Sequence, residues 1–199
     1  MRTVHRLAIT ALALLCLACS GPTIVNTDDS SAAQTPAPAP AATTTKPSNA
    51  HLANAFDFAA DVDGRTGYYF VSPSGRWECA VVPRTSVGCQ NAQSTTDIGV
   101  DGAPDEVFGP DGEDTAPNAI VLDRTADPVF AALPSPGVAL SPGPAAELPF
   151  NRILAVAGFA CNIQETAGIS CTSELSGKGF TFSADGYAPR YTDVPVGAP

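Results

Sequence analysis

Short apolar segments separated by turn residues dominate the chain from residue 51 to residue 190. Runs of β-branched and aromatic residues bounded by Gly, Pro, Asn or Asp are typical of β-strands, and many such strands indicate a sandwich or a small barrel. The pattern therefore predicts an all-β domain, a small β-sandwich or barrel of short antiparallel strands. The predicted strands read YYFVS, WECAVV, SVGCQ, AIVLD, GVAL, RILAVAGFAC, GISCTS and GFTFSA.

Helical periodicity is confined to one segment, SNAHLANAFDFAAD, at the start of this domain. Leu52, Phe56, Ala59 and Ala60 share one face at helical spacing. Phe56 and Phe58 also alternate as they would in a strand, so the pattern leaves a helix and a strand both open.

The first residues are typical of an export signal. Arg2, His5 and Arg6 precede an apolar run of twelve residues, 7–18. A membrane-spanning helix needs about 20 residues, whereas a run of this length fits the hydrophobic region of a secretory signal. We expect residues 1–18 to be removed as a signal peptide and the protein to be exported.

The end of the signal, CLACS, resembles the lipobox of bacterial lipoproteins. In that motif a small residue precedes a cysteine that receives lipid after cleavage, and Ala18, Cys19 and Ser20 match it. Cys16 departs from it, because Leu, Val or Ile is usual at that position. The resemblance implies a lipoprotein whose Cys19 carries palmitate or a related acyl chain and anchors it in the lipid bilayer, on the outer face of the cell membrane. Ordinary cleavage after Ser20, which would give a secreted protein, is the alternative.

The segment after Cys19 is expected to be a tether. Residues 20–50 contain no aromatic residue and few large apolar ones, so they cannot bury enough surface to offset the entropy of ordering. We therefore assign residues 19–50 to the anchor cysteine and a disordered Pro/Ala/Thr-rich tether, residues 51–190 to a single β-rich domain, and residues 191–199 to a flexible tail.

Charge excludes one class of partner. Removal of the signal takes away Arg2 and Arg6 and leaves 8 basic against 20 acidic residues, a net charge of −12. Such a chain is repelled by phosphate backbones, so we expect no nucleic-acid partner.

Four cysteines of the domain form two pairs with the same spacing, WECAVVPRTSVGC and FACNIQETAGISC. If each pair closes a hairpin, apolar residues lie two positions inside the cysteines and share their face. Opposed hairpin positions have the Cβ separation that a disulfide needs, and exported proteins oxidise such pairs. The spacing fits neither a Cys-x-x-Cys redox motif nor a zinc site. A redox role is the alternative, and the repeated spacing fits either a duplication or convergent hairpin geometry. The predicted partners are Cys79 with Cys89, Val81 with Val87, Cys161 with Cys171, and Ile163 with Ile169.

Several segments together resemble a family of actinobacterial secreted proteins and lipoproteins of unknown function. These segments read FVSPSGRWECAV, VGCQ, LPF, GFACN, ISCTS and GKGFTFS. The resemblance covers residues 68–187 in outline and leaves residues 90–147 unmatched. It implies an envelope location and a compact disulfide-bonded domain, and it brings no activity with it. The matching residues are Phe70, Ser72, Pro73, Ser74, Gly75, Cys79, Cys89, Cys161, Cys171, Gly177, Lys178, Gly179, Phe180 and Ser183.

Nucleophilic catalysis lacks its usual groups. After the signal the one histidine is His51, at the edge of the tether, so no imidazole is available for a Ser–His–Asp arrangement within the fold. Ser176 and Lys178 flank Gly177, but they match neither the Ser-x-x-Lys spacing nor the phosphate-loop frame. A turn before the strand at Phe180 is the simpler interpretation, although Lys178 could meet an anionic partner.

Carboxylates are the abundant reactive groups. Paired carboxylates can hydrolyse glycosidic bonds, and clustered ones can bind calcium. The segments DVDG and PDGED each match part of the EF-hand calcium-loop motif but not the whole motif. A solvated acidic loop is therefore favoured over a calcium site. The acidic residues between positions 97 and 127 are Asp97, Asp101, Asp105, Glu106, Asp111, Glu113, Asp114, Asp123 and Asp127.

Aromatic residues cluster at Tyr68, Tyr69, Phe70 and Trp77. Core packing is the simpler interpretation, and an exposed ring would instead offer a platform for a sugar or a peptide.

The residues favour a noncatalytic role over an enzyme. We expect an envelope-anchored lipoprotein, with no cofactor, that binds an envelope protein or a cell-wall component or serves a structural role at the cell surface. The alternative is a carboxylate-dependent hydrolase of cell-wall material, with calcium as a possible ligand of its acidic segment.

Overall fold

The part of the chain that the structure describes folds into short strands and one turn of 3-10 helix. The computed structural model describes residues 49–135, 137–141 and 143–199, so the predicted signal, Cys19 and nearly all of the tether lie outside the described residues. The elements in chain order are η1 Ala55–Phe58, β1 Ala59–Val62, β2 Arg65–Val71, β3 Trp77–Val82, β4 Ser86–Asn91, β5 Val107–Phe108, β6 Asp114–Thr115, β7 Ala119–Asp123, β8 Val129–Ala131, β9 Ala146–Glu147, β10 Ile153–Val156, β11 Phe159–Gln164, β12 Gly168–Ser173, β13 Gly179–Ser183 and β14 Gly186–Ala188.

Two sheets make up the body of the fold, and the all-β prediction is confirmed. The first sheet has the antiparallel order β1-β2-β3-β4-β7-β8, and β9 pairs in parallel with β2. The second is a five-stranded antiparallel meander, β10-β11-β12-β13-β14. A two-stranded ribbon, β5-β6, lies in the long connection between β4 and β7.

Both predicted hairpins form in the expected register, and both disulfides are present. Strands β3 and β4 place Cys79 opposite Cys89 and Val81 opposite Val87. Strands β11 and β12 repeat this arrangement with their own cysteines and isoleucines. All four of these cysteines are buried. Each disulfide therefore joins two neighbouring strands within one sheet.

One apolar core joins the two sheets. Phe70 of β2 and Leu122 of β7 belong to the same buried cluster as Leu154 of β10 and Phe180 of β13. The ring of Trp77 meets Phe182 edge-on, with centroids 5.3 Å apart. Full burial of a large apolar side chain contributes roughly 1.5–3 kcal/mol, so this shared cluster holds the two sheets together.

The two sheets also repeat one another strand by strand. Phe70 pairs with Cys79 as Leu154 pairs with Cys161, and Ile120 pairs with Cys89 as Phe180 pairs with Cys171. The match thus covers β2-β3-β4-β7 and β10-β11-β12-β13, which is more than the cysteine spacing alone indicated.

A strap of irregular chain crosses the outer face of each sheet. After β8, Leu133 exchanges hydrogen bonds of 2.8 Å with the side-chain amide of Asn118, and the N–H of Val138 donates to Oε1 of Gln90 at 3.1 Å. After β14, residues 190–193 form what we call the C-terminal strap. Its Thr192 N–H donates to Oγ of Ser170 at 2.7 Å, so hydrogen-bonded structure continues past residue 190.

Three local predictions differ from the structure. The segment GVAL at 137–140 is not a strand, because it belongs to the strap over the first sheet. The segment RILAVAGFAC is two strands, β10 and β11, joined at Ala157 and Gly158, both of which have positive φ. The segment around Phe56 is a single 3-10 turn followed by β1, in place of either a long helix or one strand.

Candidate functional site

An apolar cavity of about 220 Å³ lies between the turn that follows β2 and the tip of the β11–β12 hairpin. We call it the Trp77 cavity. Its polar lining consists of Ser72, Ser74, Ser183, Gln164 and Glu165. Its apolar lining consists mainly of Pro73, Trp77, Phe150, Ile163, Ile169 and Ala184.

Trp77 is held in place from three sides. Its indole N–H donates to the carbonyl of Ile98 at 3.3 Å, and its ring packs against Phe182 in a T-shaped arrangement. The guanidinium of Arg76 lies 4.7 Å from the ring centroid, and its Nη2 donates to the carbonyl of Gly99 at 2.7 Å. Trp77 is 8% exposed, so it is a core residue that presents a small part of its surface to the cavity.

The turn SPSG forms the rim of the Trp77 cavity that faces the β11–β12 tip, and hydrogen bonds within the turn hold its shape. The Trp77 N–H donates to Oγ of Ser72 at 3.1 Å, and the Gly75 N–H donates to the Ser72 carbonyl at 2.8 Å. The hydroxyls of Ser72 and Ser74 lie 3.1 Å apart. Gly75 has φ +67, a left-handed conformation that favours glycine. These serines shape the rim, because their oxygens are already engaged within the turn.

A second, more open space adjoins the first. This cleft of about 500 Å³ runs between the β11–β12 tip and residues 195–199, and we call it the tail cleft. Phe150, Gln164 and Glu165 line both spaces, so the cavity and the cleft adjoin at these residues.

Gln164 is the polar residue at this junction. It is only 5% exposed. Its amide nitrogen donates to Oδ1 of Asn162 at 2.9 Å and to the carbonyls of Thr192 and Asp193, both at 3.2 Å. Three acceptors around one nitrogen fix the orientation of the amide. The C-terminal strap therefore determines how Gln164 faces the cavity.

The opposite end of the repeat is closed. There the tip of the β3–β4 hairpin meets the turn after β10, and the Arg84 N–H donates to the carbonyl of Ala157 at 3.1 Å. At the cavity end, within the described residues, no main-chain hydrogen bond joins the turn at 72–76 to the tip at 165–167. The turn after β2 is also three residues longer than the Ala157-Gly158 turn. The two ends thus differ, and the longer turn is the one beside the cavity.

The acidic segment does not converge on a cleft. All nine carboxylates between positions 97 and 127 are exposed. Among the residues that the structure describes, no three His, Cys, Asp or Glu side chains are grouped so as to hold a metal ion.

The two calcium-loop echoes are hairpin turns. Asp63 and Gly64 have φ 50 and 73 and connect β1 to β2, as Asp-Gly does in tight hairpins. The Gly109 N–H donates to the Glu113 carbonyl at 2.8 Å where β5 turns into β6. Turn geometry accounts for the Asp-Gly pairs in both segments.

The remaining sequence candidates lie apart from the cavity. Lys178 forms an ion pair of 3.0 Å with Asp127. Nδ1 of His51 lies 3.0 Å from the carbonyl of Asn151. Tyr68 and Tyr69 are half-buried strand residues. The two disulfides are buried in the core, so the structure gives their sulfurs a structural role.

The sequence indicates part of this site. Trp77 is one of its aromatic candidates, and Ser72, Ser74, Phe150 and Ser183 lie in the segments that carry the family resemblance. Gln164 has no such signal, because no local pattern in the chain indicates that it faces the same space as Phe150.

Comparison with protein-family models, with curated proteins and with solved structures found no match. The family resemblance of the sequence therefore stays a prediction. Within the described residues no helix is long and apolar enough to cross a membrane.

Proposed function

We propose that this protein is an exported, lipid-anchored envelope protein whose β-domain binds a ligand or partner at the Trp77 cavity without catalysing a reaction. The observation that carries the proposal is an apolar cavity at an end of the repeated fold where, among the described residues, no main-chain hydrogen bond joins the hairpin tip to the facing turn. Ligand sites are typically concave and apolar, with a few polar groups that fix orientation. The cavity has this character, and Gln164 and Glu165 are among the polar groups that line it.

The location rests on three features of the chain. Two buried disulfides are consistent with export, because such bonds persist in oxidising compartments. The signal-like start and the CLACS segment add the anchor at Cys19. Residues 20–50 would then separate the domain from the bilayer by on the order of 30 Å if they behave as a flexible coil. Intact-mass measurement of protein from its native envelope tests the anchor, and an unmodified Cys19 would refute it.

Binding can be tested with an uncharged aromatic dye, N-phenyl-1-naphthylamine, whose fluorescence rises in an apolar site. At about 0.3 kcal/mol per heavy atom, the value for drug-sized ligands, the expected Kd of this dye is on the order of 0.1 mM. Replacement Ala184→Leu fills part of the cavity and should weaken binding by at least roughly five-fold, the loss of about 1 kcal/mol.

The matched control is Phe56→Ala, which removes an aromatic ring that is 87% exposed and does not line the cavity. This control should bind the dye as the unaltered protein does. Absence of dye binding, or equal binding by the Ala184→Leu variant, would overturn the assignment of the cavity.

A further inference from the structure

The Trp77 cavity and the tail cleft together have the dimensions of an extended ligand. An apolar cavity of roughly 150 Å³ accepts benzene, so the Trp77 cavity, at about 220 Å³, has room for one leucine or phenylalanine side chain. The tail cleft shares Phe150, Gln164 and Glu165 with the cavity and adds about 500 Å³. A ligand that fills both spaces therefore has an apolar group at one point and a chain that continues beyond it.

Gln164 adds a requirement for a hydrogen-bond donor. Its amide nitrogen is engaged by three acceptors, and its Oε1 has no partner among the described residues. Oε1 is therefore open to a donor from a ligand. A ligand N–H that reaches Oε1 completes the hydrogen bonding of this amide at the junction of the two spaces.

Charge narrows the ligand class further. The described residues that line the two spaces include no lysine or arginine, and the one charged side chain among them is Glu165. The carboxylate of Glu165 repels anions at the mouth of the cavity. The ligand is therefore neutral or cationic close to its apolar group.

We infer that the two spaces form a single site for an extended peptide segment of a partner protein. One apolar side chain fills the Trp77 cavity, a main-chain N–H donates to Oε1 of Gln164, and the flanking residues lie in the tail cleft. A peptide satisfies all three requirements, because each residue places an N–H beside its side chain and the chain continues in both directions. This inference rests on the proposed function, since it names the ligand class of the same cavity.

The test uses the oxidised full chain and the blocked peptide acetyl-Ala-Leu-Ala-amide, followed by ¹H–¹⁵N NMR. We expect shifts at the amides of Gln164 to Gly168 and of residues 196–198, with a Kd on the order of 0.1–1 mM for a ligand of this size. Two further peptides are methylated on the nitrogen of leucine or of the next alanine. One of them should bind roughly ten-fold more weakly, because its methyl group removes the donor to Gln164.

A succinyl group in place of the acetyl group tests the role of charge. The anionic peptide should bind several-fold more weakly than the acetyl peptide, and the difference should shrink in the Glu165→Gln variant. The inference would be overturned if both methylated peptides, or the anionic peptide, bound as tightly as the acetyl peptide.

The dye separates this inference from the proposed function. Dye binding that Ala184→Leu weakens, together with no peptide shifts in the tail cleft, would refute the peptide inference and leave the cavity as a small-ligand site. Failure of both the dye and the peptides would overturn both proposals.

Discussion

Asn162 is a buried polar residue that holds the C-terminal strap against the second sheet. It is fully buried on β11. Its amide nitrogen donates to the hydroxyl of Tyr191 at 2.8 Å and to the carbonyl of Thr192 at 3.0 Å, and its Oδ1 accepts from Gln164 at 2.9 Å. Replacement Asn162→Ala removes all three bonds at a site that water does not reach in the folded protein.

The expected loss follows from these three bonds. A protein hydrogen bond contributes about 0.5–1.5 kcal/mol net, and a buried group left unpaired costs about 1–3 kcal/mol. The Thr192 carbonyl keeps its bond from Gln164, and half-buried Tyr191 can turn to water. We therefore expect Asn162→Ala to lower the free energy of unfolding by about 2–4 kcal/mol. Urea denaturation measures this loss, with the fluorescence of Trp77, the one tryptophan of the chain, as the signal.

The matched control lies under the other strap. Asn118 also holds its strap with a pair of 2.8 Å bonds, to the N–H and carbonyl of Leu133, but it is half-buried. Water can replace those partners, so Asn118→Ala should cost about 1–2 kcal/mol. A loss below about 1 kcal/mol for Asn162→Ala, or a larger loss for Asn118→Ala, would show that the polar cluster does not hold the C-terminal strap.

Three further predictions concern the stability of the domain. The two disulfides close loops with the same separation of 10 residues. Double replacement Cys79→Ala/Cys89→Ala should therefore lower the free energy of unfolding, measured in urea, by about 3 kcal/mol, and removal of the other disulfide should lower it equally. A difference above about 2 kcal/mol between the two losses would mean that packing rather than loop closure sets the contribution. Burial raises the pKa of Glu78 above its usual 4.5, so its carboxylate lowers the stability of the fold above that pH. Glu78→Gln should therefore raise the urea midpoint at pH 7 and leave it unchanged at about pH 3. A lower midpoint at pH 7 would show that the charge of Glu78 stabilises the fold instead. Burial, and to a smaller extent the charge of Asp193, raise the pKa of Tyr191 above 10.0, while the hydrogen bond from Asn162 opposes them. The stability that Tyr191 contributes is therefore present below pH 10 and lost above it. Asp193→Asn should lower the pKa of Tyr191 in an ultraviolet titration, and an unchanged pKa would refute the effect of Asp193.

The hairpins could be predicted because two independent signals agreed on their register. Side chains alternate with a period of two along a strand, and the disulfide requires opposed cysteines. With Cys79 opposite Cys89, the burial of Val81 and Val87 on the same face follows directly, as the structure shows. A shift by one residue would have moved the whole apolar set to the outer face.

The straps and the short turn could not be predicted by the same reasoning. The turn between β10 and β11 places Ala157 at φ 56, a conformation that alanine seldom adopts, so the apolar run around it resembled one long strand. Val138 lies in an apolar segment that resembled a strand. It packs against the outer face instead, where a Cβ on Gly88 would come within 3.1 Å of its Cγ1.

The site was accessible from the sequence only in part, because empty space has no pattern in a chain. Trp77 and Phe150 are 73 positions apart in the sequence and meet only when the two sheets assemble. Gln164 follows Ile163 at the end of β11 and looks like an ordinary polar strand residue. Its importance comes from Thr192 and Asp193, whose carbonyls orient its amide.

The repeated architecture gives a physical reason to place the site at the Trp77 cavity. Equivalent hairpin tips face equivalent turns at two places in the fold, and the turns differ in length and sequence. The two-residue turn at Ala157 lets the tip at Arg84 approach within hydrogen-bond distance. In the longer turn at 72–76, the Ser72 hydroxyl and carbonyl accept hydrogen bonds from neighbouring residues in the chain. The tip at Glu165 therefore stays apart from this turn. Stability alone would favour closure at both ends, since buried apolar surface and main-chain hydrogen bonds are lost at an open one. The open end is therefore the part of this fold whose structure is best explained by binding.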